Sequence, residues 1–289
     1  MAYDDPHKPH RPSASSGFDA SIGSIARRAK QPRWTVVLAF YNEESEIGTT
    51  LRKLCLQSEP FRLVLVDNGS TDGSVETCVR ALLGCDMDYV ILRHDLVAGQ
   101  TAALSRGLEA VETEFVATCD ADTFYPSDYL RNAEALLDEG SEGVVAACAY
   151  YSPKNRGFLR HIAAALHQVG ISRLLPRQAH VGAAGQSFRT AALRRAGGYC
   201  QVKWPYLLGD HEIMHRVFKQ GGQAMSLSHW CSPSDRRTFP LRWSLTERIL
   251  YHVVPFPAKD WYFRWLGRRF ERRGLFAARL RERTWEMGS

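Results

Sequence analysis

Short apolar runs alternate with stretches of helical period along the first half of the chain. Trp34 to Phe40 reads Trp-Thr-Val-Val-Leu-Ala-Phe, a buried strand by its brevity and its strand formers. Tyr41-Asn42-Glu43-Glu44 ends it and opens a helix to about Gln57. Phe61 to Val66 is a second strand, closed by Asp67-Asn68-Gly69-Ser70-Thr71-Asp72-Gly73-Ser74, a polar turn running into a helix cap. A helix to about Leu83 and a strand from Tyr89 to Leu92 follow. Leu104, Leu108 and Val111 then stand at helical spacing between Gly99 and Val111, and Phe115 to Asp120 is the fourth strand. Strand and helix alternating over short connections predict an α/β fold: a mostly parallel, doubly wound sheet with helices on both faces.

The second half keeps the alternation more loosely. Val144 to Tyr150 reads as a strand, and Gly157 to Leu175 as a helix with a basic and aromatic edge, stopped by Pro176. His180 to Ser187 is a loop of small residues, followed by Phe188 to Gly198 with its Gly-Gly stop. A helix starts at Asp210 and ends at Gly221-Gly222; Ala224 to Ser228 is a strand that runs into His229-Trp230. The expected organisation is a flexible leader over 1–32, a main domain over 33–240 with halves 33–123 and 124–240, and a basic, aromatic helical tail over 241–289.

Composition narrows the classes. The apolar and charged fractions are those of a water-soluble globular protein. No apolar run approaches the ~20 residues that span a bilayer, and the polar, Pro-rich start is unlike a secretory signal. The formal net charge is +6. From Trp230 onward about thirteen Lys and Arg face six Asp and Glu, so the excess sits in the tail. No helix-turn-helix, zinc-finger or aromatic RNA-binding signature accompanies it. Arg interleaved with Trp261, Tyr262, Phe263, Trp265, Phe270 and Phe276 suits an interfacial helix on anionic lipid; packing back on the domain or dimer formation would look similar. The seven cysteines are scattered, with no Cys-x-x-Cys, so reduced thiols in a cytoplasm are expected rather than a disulfide framework or zinc site.

The candidate chemistry sits at strand ends. Asp120-Ala121-Asp122 leaves the fourth strand where open α/β sheets bind ligands. Two hard oxygen donors there suit Mg²⁺ or Mn²⁺, which suit diphosphates, although many Asp-x-Asp pairs are plain turn or cap residues. Asp67, after the second strand, is placed to accept from a ribose or base, or to serve only its own turn. No Gly-x-Gly-x-x-Gly and no P-loop is present.

Three stretches in this order resemble the family 2 glycosyltransferases: Phe40-Tyr41-Asn42-Glu43-Glu44, Val66 to Ser74, and Cys119-Asp120-Ala121-Asp122. The resemblance covers roughly 34–237. It implies the A-type glycosyltransferase fold and an inverting, metal-dependent transfer of one sugar from a nucleoside-diphosphate sugar, UDP-linked by first expectation, to a hydroxyl in envelope polysaccharide or glycolipid synthesis. A cytoplasmic protein is implied, peripheral on the inner face of the membrane, with a lipid-linked acceptor compatible. Phe40, Asn42, Glu43, Asp67, Gly99, Asp120 and Ala121 would line the nucleotide-sugar site, and Asp122 would ligate the metal with His229 as a further ligand. Gly185 and Gln186 lie in the segment that cradles donor sugar and acceptor. Asp210 would be the base that accepts the acceptor's proton, with Glu212 as the fallback carboxylate, and Arg236 and Arg237 could grip the diphosphate bidentately.

The chain departs from the family pattern at three places. Val97 and Ser105 replace two Asn positions of a motif whose spacing Gly99, Ala103 and Gly107 keep. Gly209 stands where the family has Glu before Asp210. Phe239 to Trp243 lacks the Gln of the processive Gln-x-x-Arg-Trp. Two other readings stay open: a sugar nucleotidyltransferase on a similar sheet, and a non-catalytic nucleotide- or lipid-binding protein.

Overall fold

A computed structural model describes residues 31–94, 96–140, 143–153, 157–234 and 244–278. The first half runs β1 (Trp34–Phe40), α1 (Ile47–Leu54), β2 (Phe61–Asp67), α2 (Ser74–Leu82), β3 (Tyr89–Arg93), α3 (Gln100–Glu109) and β4 (Phe115–Asp120). It continues with α4 (Tyr129–Asp138), β5 (Val144–Cys148), β6 (Tyr150–Tyr151), α5 (Phe158–Leu174), β7 (Gln186–Arg189), α6 (Thr190–Arg195) and α7 (Gly209–Val217). Last come β8 (Gly222–Ala224), β9 (Trp230–Cys231), α8 (Leu245–Val253) and α9 (Lys259–Arg272).

Among the described residues a seven-stranded sheet has the order β3-β2-β1-β4-β7-β5-β8. All its pairs are parallel except those of β7, which is antiparallel to both β4 and β5. The expected doubly wound sheet is therefore present, with one strand reversed at its centre. That strand was not foreseen, because Gln186-Ser187-Phe188-Arg189 is short, polar and follows a run of small residues. The predicted Val144–Tyr150 strand divides at Ala149. Tyr150 and Tyr151 leave the main sheet to pair with Trp230 and Cys231. The strand expected at Ala224–Ser228 lies earlier, at Gly222–Ala224.

Strands buried on both faces explain the near-continuous apolar runs. On β1, Trp34, Val36, Leu38 and Phe40 face one core together with Leu63 and Leu65 of β2, while Val37, Val64 and Val66 face the other. α3 lies close over the second face, where a Cβ on Gly107 would come 2.4 Å from Val37 Cγ1. At the base of the sheet, the Arg33 guanidinium meets Glu114, Glu134 and Asp138, and the Trp34 indole donates to Glu134 at 2.7 Å.

One expectation is revised, and one of the readings left open for the tail is met. Cys55, just past α1, and Cys85, just past α2, are joined by a disulfide with Cα atoms 6.2 Å apart, where reduced thiols were expected. A sequence separation of 30 hid the pairing, which depends on α1 and α2 packing side by side. The described part of the aromatic tail packs largely inward. Tyr262, Phe263 and Phe270 of α9 form a third core with Trp204, Tyr251 and Leu275. Glu247, fully buried in the capping box of α8, accepts from Arg269 and Arg273 at 3.0 Å.

Gly107→Val is expected to overpack the α3 interface against Val37 and Val66 and to cost about 1–3 kcal/mol. A lowered denaturant midpoint with an unchanged slope is the readout; no loss of stability would show that α3 can lift away from the sheet.

Candidate active site

The carboxyl ends of β1, β2 and β4 come level because their registers match: Phe40 pairs with Asp67 and Ala39 with Asp120. Beyond that edge the chain is knitted by short polar contacts. Asn42, at φ 51°, accepts from the Thr71 amide at 2.8 Å, and its own amide donates to Ser70 Oγ at 3.0 Å. The Glu43 amide donates to Ser74 Oγ at 2.7 Å. Asp67 Oδ1 accepts from the Ser70 amide, three residues on, at 2.8 Å and so ties down its own turn. Asn68 donates to the carbonyls of His94 and Val97 and accepts from the Gly99 amide, fixing the approach to α3.

A cavity of about 210 Å³ opens at this edge. Gln100, Thr101 and Leu104 of α3, Asp120 of β4, Tyr151 of β6 and Tyr199 line it. Gly182, the 206–210 segment and Ala277 complete the wall. Asp120 and Asp210, ninety positions apart, thus face one space. Burial first, then the charges of Asp122 and Asp210, push the Asp120 carboxyl up to about 7, partly offset by a 2.9 Å hydrogen bond from Gln100.

Asp210 sits in the first turn of α7, whose positive end favours a carboxylate. Leu208 precedes the helix in the left-handed region at φ 65°, a strained conformation for leucine that aims the turn into the cavity. Asp210 Oδ1 accepts from both the amide and Nδ1 of His211 at 3.0 Å. Oδ2 lies beside Gly182, where an added Cβ would come within 3.0 Å of it and 2.8 Å of the Tyr151 hydroxyl. Burial raises the Asp210 carboxyl, but the ring and amide of His211 outweigh it and hold the group below the usual carboxylate range. Behind His211, at 4.6 Å between ring centres, His180 donates from Nδ1 to the Val181 carbonyl and accepts the Tyr251 hydroxyl at Nε2, 2.6 Å away. Lys259 is buried against the Tyr251 ring, donates to the Tyr251 carbonyl, and is lowered to about 8 by burial.

The remaining candidates are placed as follows. Phe40 and Asp67 are buried at the strand ends, Glu43 is buried at the start of the turn before α1, and Ala121 is buried between the two aspartates. Gly99 is at φ 118° and packs against the backbone of Ala277. Gly185 is a point of close backbone packing, where a Cβ would come 2.9 Å from the Ala149 carbonyl. Gln186 is buried and donates to the carbonyls of Val181 and Asp210. Glu212 holds Arg216 through two 2.8 Å contacts and does not line the cavity. His229 is buried with its ring 4.7 Å from that of Tyr129 and neither nitrogen hydrogen-bonded, and burial lowers it to about 3. Arg236 and Arg237 lie outside the described residues.

The sequence model described as Glycosyl transferase family 2 matches residues 35–197, more than half of the chain. The chain belongs to glycosyl transferase family 2. The match ends before Asp210 and before α8 and α9. Among curated relatives, an undecaprenyl-phosphate 4-deoxy-4-formamido-L-arabinose transferase of Salmonella choleraesuis is 29% identical over 114 residues, 38% of this chain and 35% of that protein. The chain thus spans about a third of the length of that relative. Among solved structures, the mannosyltransferase PcManGT of Pyrobaculum calidifontis, in complex with GDP-Man and Mn²⁺, superposes with a TM-score of 0.62 at 22% identity over 80% of this chain and 65% of that one. Staphylococcus aureus TarS 1-349 with UDP-GlcNAc gives 0.57 at 18%, over 82% and 72%. The glucosyl-3-phosphoglycerate synthase of Mycobacterium tuberculosis, with Mn²⁺, UDP and phosphoglyceric acid, gives 0.52 at 18%, over 77% and 79%. These likenesses establish the A-type glycosyltransferase fold for a chain of this family.

A divalent cation fits the donor chemistry at β4. Asp120 and Asp122 offer hard oxygens, and their repulsion is visible in the raised Asp120 carboxyl. Among the described residues no three His, Cys, Asp or Glu side chains are close enough to hold an ion alone. Magnesium commonly takes one or two carboxylates and fills its shell from substrate phosphates and water, so such a pair suffices.

Gln100, Thr101, Tyr151, Tyr199, His180, Tyr251, Lys259 and Ala277 escaped the sequence reading. Each is scattered from the motifs, and only the fold gathers them. At Gly209 a Cβ would stand 2.6 Å from Thr101 Oγ1, so any larger residue there requires the Thr101 side chain to move.

His180 is neutral down to about pH 3, against an ordinary value of 6.5. The unfolded chain takes up this proton below 6.5 while the folded chain does not, so stability is lost as pH falls from 6.5 toward 3. The slope per such histidine is about 1 kcal/mol per pH unit. In His180→Gln that loss is expected to be shallower than in the parent between pH 6 and 4, measured by urea unfolding; parallel curves would place His180 in contact with water.

Proposed function

We propose that the chain is an inverting glycosyltransferase that moves one sugar from a nucleoside-diphosphate sugar to a hydroxyl. The observation that carries this reading is the single cavity into which Asp120, at the end of β4, and Asp210, at the start of α7, both open. Asp122, together with Asp120, would hold Mg²⁺ or Mn²⁺, which when bound offsets the charge growing on the departing diphosphate. The level ends of β1 and β2, with Asn42, Glu43, Asp67 and Gly99, offer the nucleoside a polar edge.

Asp210 is the base. Held below the usual carboxylate range, it is ionised at neutral pH and ready to accept a proton. His211 fixes Oδ1, and Gly182 leaves space beside Oδ2. As the acceptor oxygen attacks the anomeric carbon, its proton passes to Asp210, the new C–O bond forms, and the bond to the phosphate oxygen breaks with its electron pair. One displacement without an enzyme nucleophile inverts the anomeric centre.

A lipid-linked acceptor at a membrane surface is supported by the relative whose name gives undecaprenyl phosphate. No helix among the described residues is long and apolar enough to cross a membrane.

Asp210→Asn is expected to reduce transfer by about 100-fold or more while still binding the nucleotide sugar. Asp122→Asn should weaken donor binding with Mn²⁺, read by thermal shift across UDP-, GDP- and dTDP-sugars. An α-linked donor should give a β-linked product by NMR. Retention of configuration, or full activity in Asp210→Asn, would overturn the mechanism. Pyrophosphate release from a nucleoside triphosphate and a sugar phosphate would favour a nucleotidyltransferase instead.

A further inference from the structure

The α5 helix carries an apolar row on its outer face. Leu159 is 80% exposed and Leu174 81% exposed, with Ile162 and Leu166 exposed between them. Their spacing sets them on one side of the helix. Leu245, Ile249 and Val253 make a second exposed row on α8, at intervals of four residues, with Leu245 74% exposed. These rows stand in water while the inner sides of both helices are packed. Val169 of α5 and Tyr251 of α8 are buried.

The C-terminal ends of the two helices meet. Gln178 donates to the Val254 carbonyl at 3.3 Å, the Arg177 guanidinium lies 4.7 Å over the Phe256 ring, and His180 accepts from Tyr251. Four residues past Gln178, the chain reaches Gly182 in the cavity wall.

Charge on these segments has one sign. Residues 157–181 contain Arg160, Arg173 and Arg177 and no Asp or Glu. On α8, Arg248 is exposed, whereas the carboxylate of Glu247 is buried against Arg269 and Arg273. A second copy docking through the same face would set arginines against arginines. An anionic bilayer meets both features: it takes protruding leucines into its acyl boundary and arginines at its headgroups, without requiring a matching shape.

We propose that the outer faces of α5 and α8 form the surface by which the chain docks on anionic lipid. Of the aromatic residues of α9, Tyr262, Phe263 and Phe270 are consumed in the chain's own core, which leaves Trp261 half exposed as the one outward ring of that helix among the described residues. Docking through α5 and α8 places the 180–182 loop, and so the mouth of the cavity, beside the headgroups. That consequence rests on the glycosyl-transfer reading, because it brings a lipid-linked acceptor within reach of Asp210; the docking itself does not.

The test is flotation of the full chain with phosphatidylcholine vesicles, with and without phosphatidylglycerol, at low and raised salt. The expected result is flotation that requires phosphatidylglycerol and weakens with salt. Leu166→Glu combined with Ile249→Glu should reduce partitioning at least about tenfold, and Arg160→Ser and Arg173→Ser about fivefold each. All four positions are exposed, so the thermal midpoints should stay close to the parent's. Parent protein that does not float with phosphatidylglycerol, or variants that float as well as the parent, would overturn the proposal. A parent dimer by light scattering that the two Glu substitutions turn into monomer would assign the face to a second copy. Thermal shift with nucleotide sugars and Mn²⁺ reads the other proposal separately: lost flotation with intact donor binding sinks docking alone, and intact flotation without donor binding sinks glycosyl transfer alone.

Discussion

Asp120 and Asp210 face one cavity at the edge of the sheet, and the repulsion they and Asp122 exert is the constraint around which the rest is arranged. Each is answered differently. Asp210 has the start of a helix and the His211 amide and ring, and these outweigh its burial. Asp120 has one amide from Gln100 and remains pushed up to about 7. Carboxylates whose environments drive them in opposite directions are the usual mark of divided roles. The ionised one suits proton acceptance, and the one that resists ionising suits a cation. Keeping them apart yet facing one space requires small residues at close approaches. Gly182 clears the Asp210 oxygen and the Tyr151 hydroxyl, and Gly209 clears Thr101.

The first half of the fold could be read along the chain because its signals are local. Strands buried on both faces leave continuous apolar runs, and the polar turns that close them announce where each ends. Asp67, Asp120 and the Asn42-Glu43 pair are found at one edge for the same reason: parallel strands in register end together. Central β7 left no comparable trace. Its burial follows from the strands on either side, which admit a four-residue polar segment because backbone pairing and the Gln186 hydrogen bonds satisfy it. The cystine between Cys55 and Cys85 was illegible for a like reason, since it depends on two helices being neighbours.

For the candidate site, residues within motifs were legible and residues brought by the fold were not. Asp120 and Asp210 were both marked, although nothing in the sequence measures the space between them. Glu212 and Gln186 had the right chemistry and neighbourhood. Their side chains turn to Arg216 and to the Val181 and Asp210 carbonyls, which are needs of packing that a linear pattern does not record. Tyr151 of β6, Thr101 of α3 and Tyr199 past α6 are unremarkable in sequence and share the cavity only because the fold brings these separate segments together.

The part of the chain beyond the family match does more than cover the domain. Leu207 donates to the Leu275 carbonyl at 3.1 Å and Ala277 to that of Pro205 at 2.9 Å, so the final described stretch runs beside the segment leading to Asp210. Ala277 also lies against Gly99, the residue that opens α3. The cavity is therefore closed by contacts between its two sides and a third piece of chain that arrives after α9. Through Tyr251 and Lys259, the same helices hold His180 against the ring that orients Asp210. A wall built this way fixes both the depth of the cavity and the pose of its carboxylate. The cavity is accordingly shaped by residues beyond the family match, Asp210 among them, as well as by Asp120 within it.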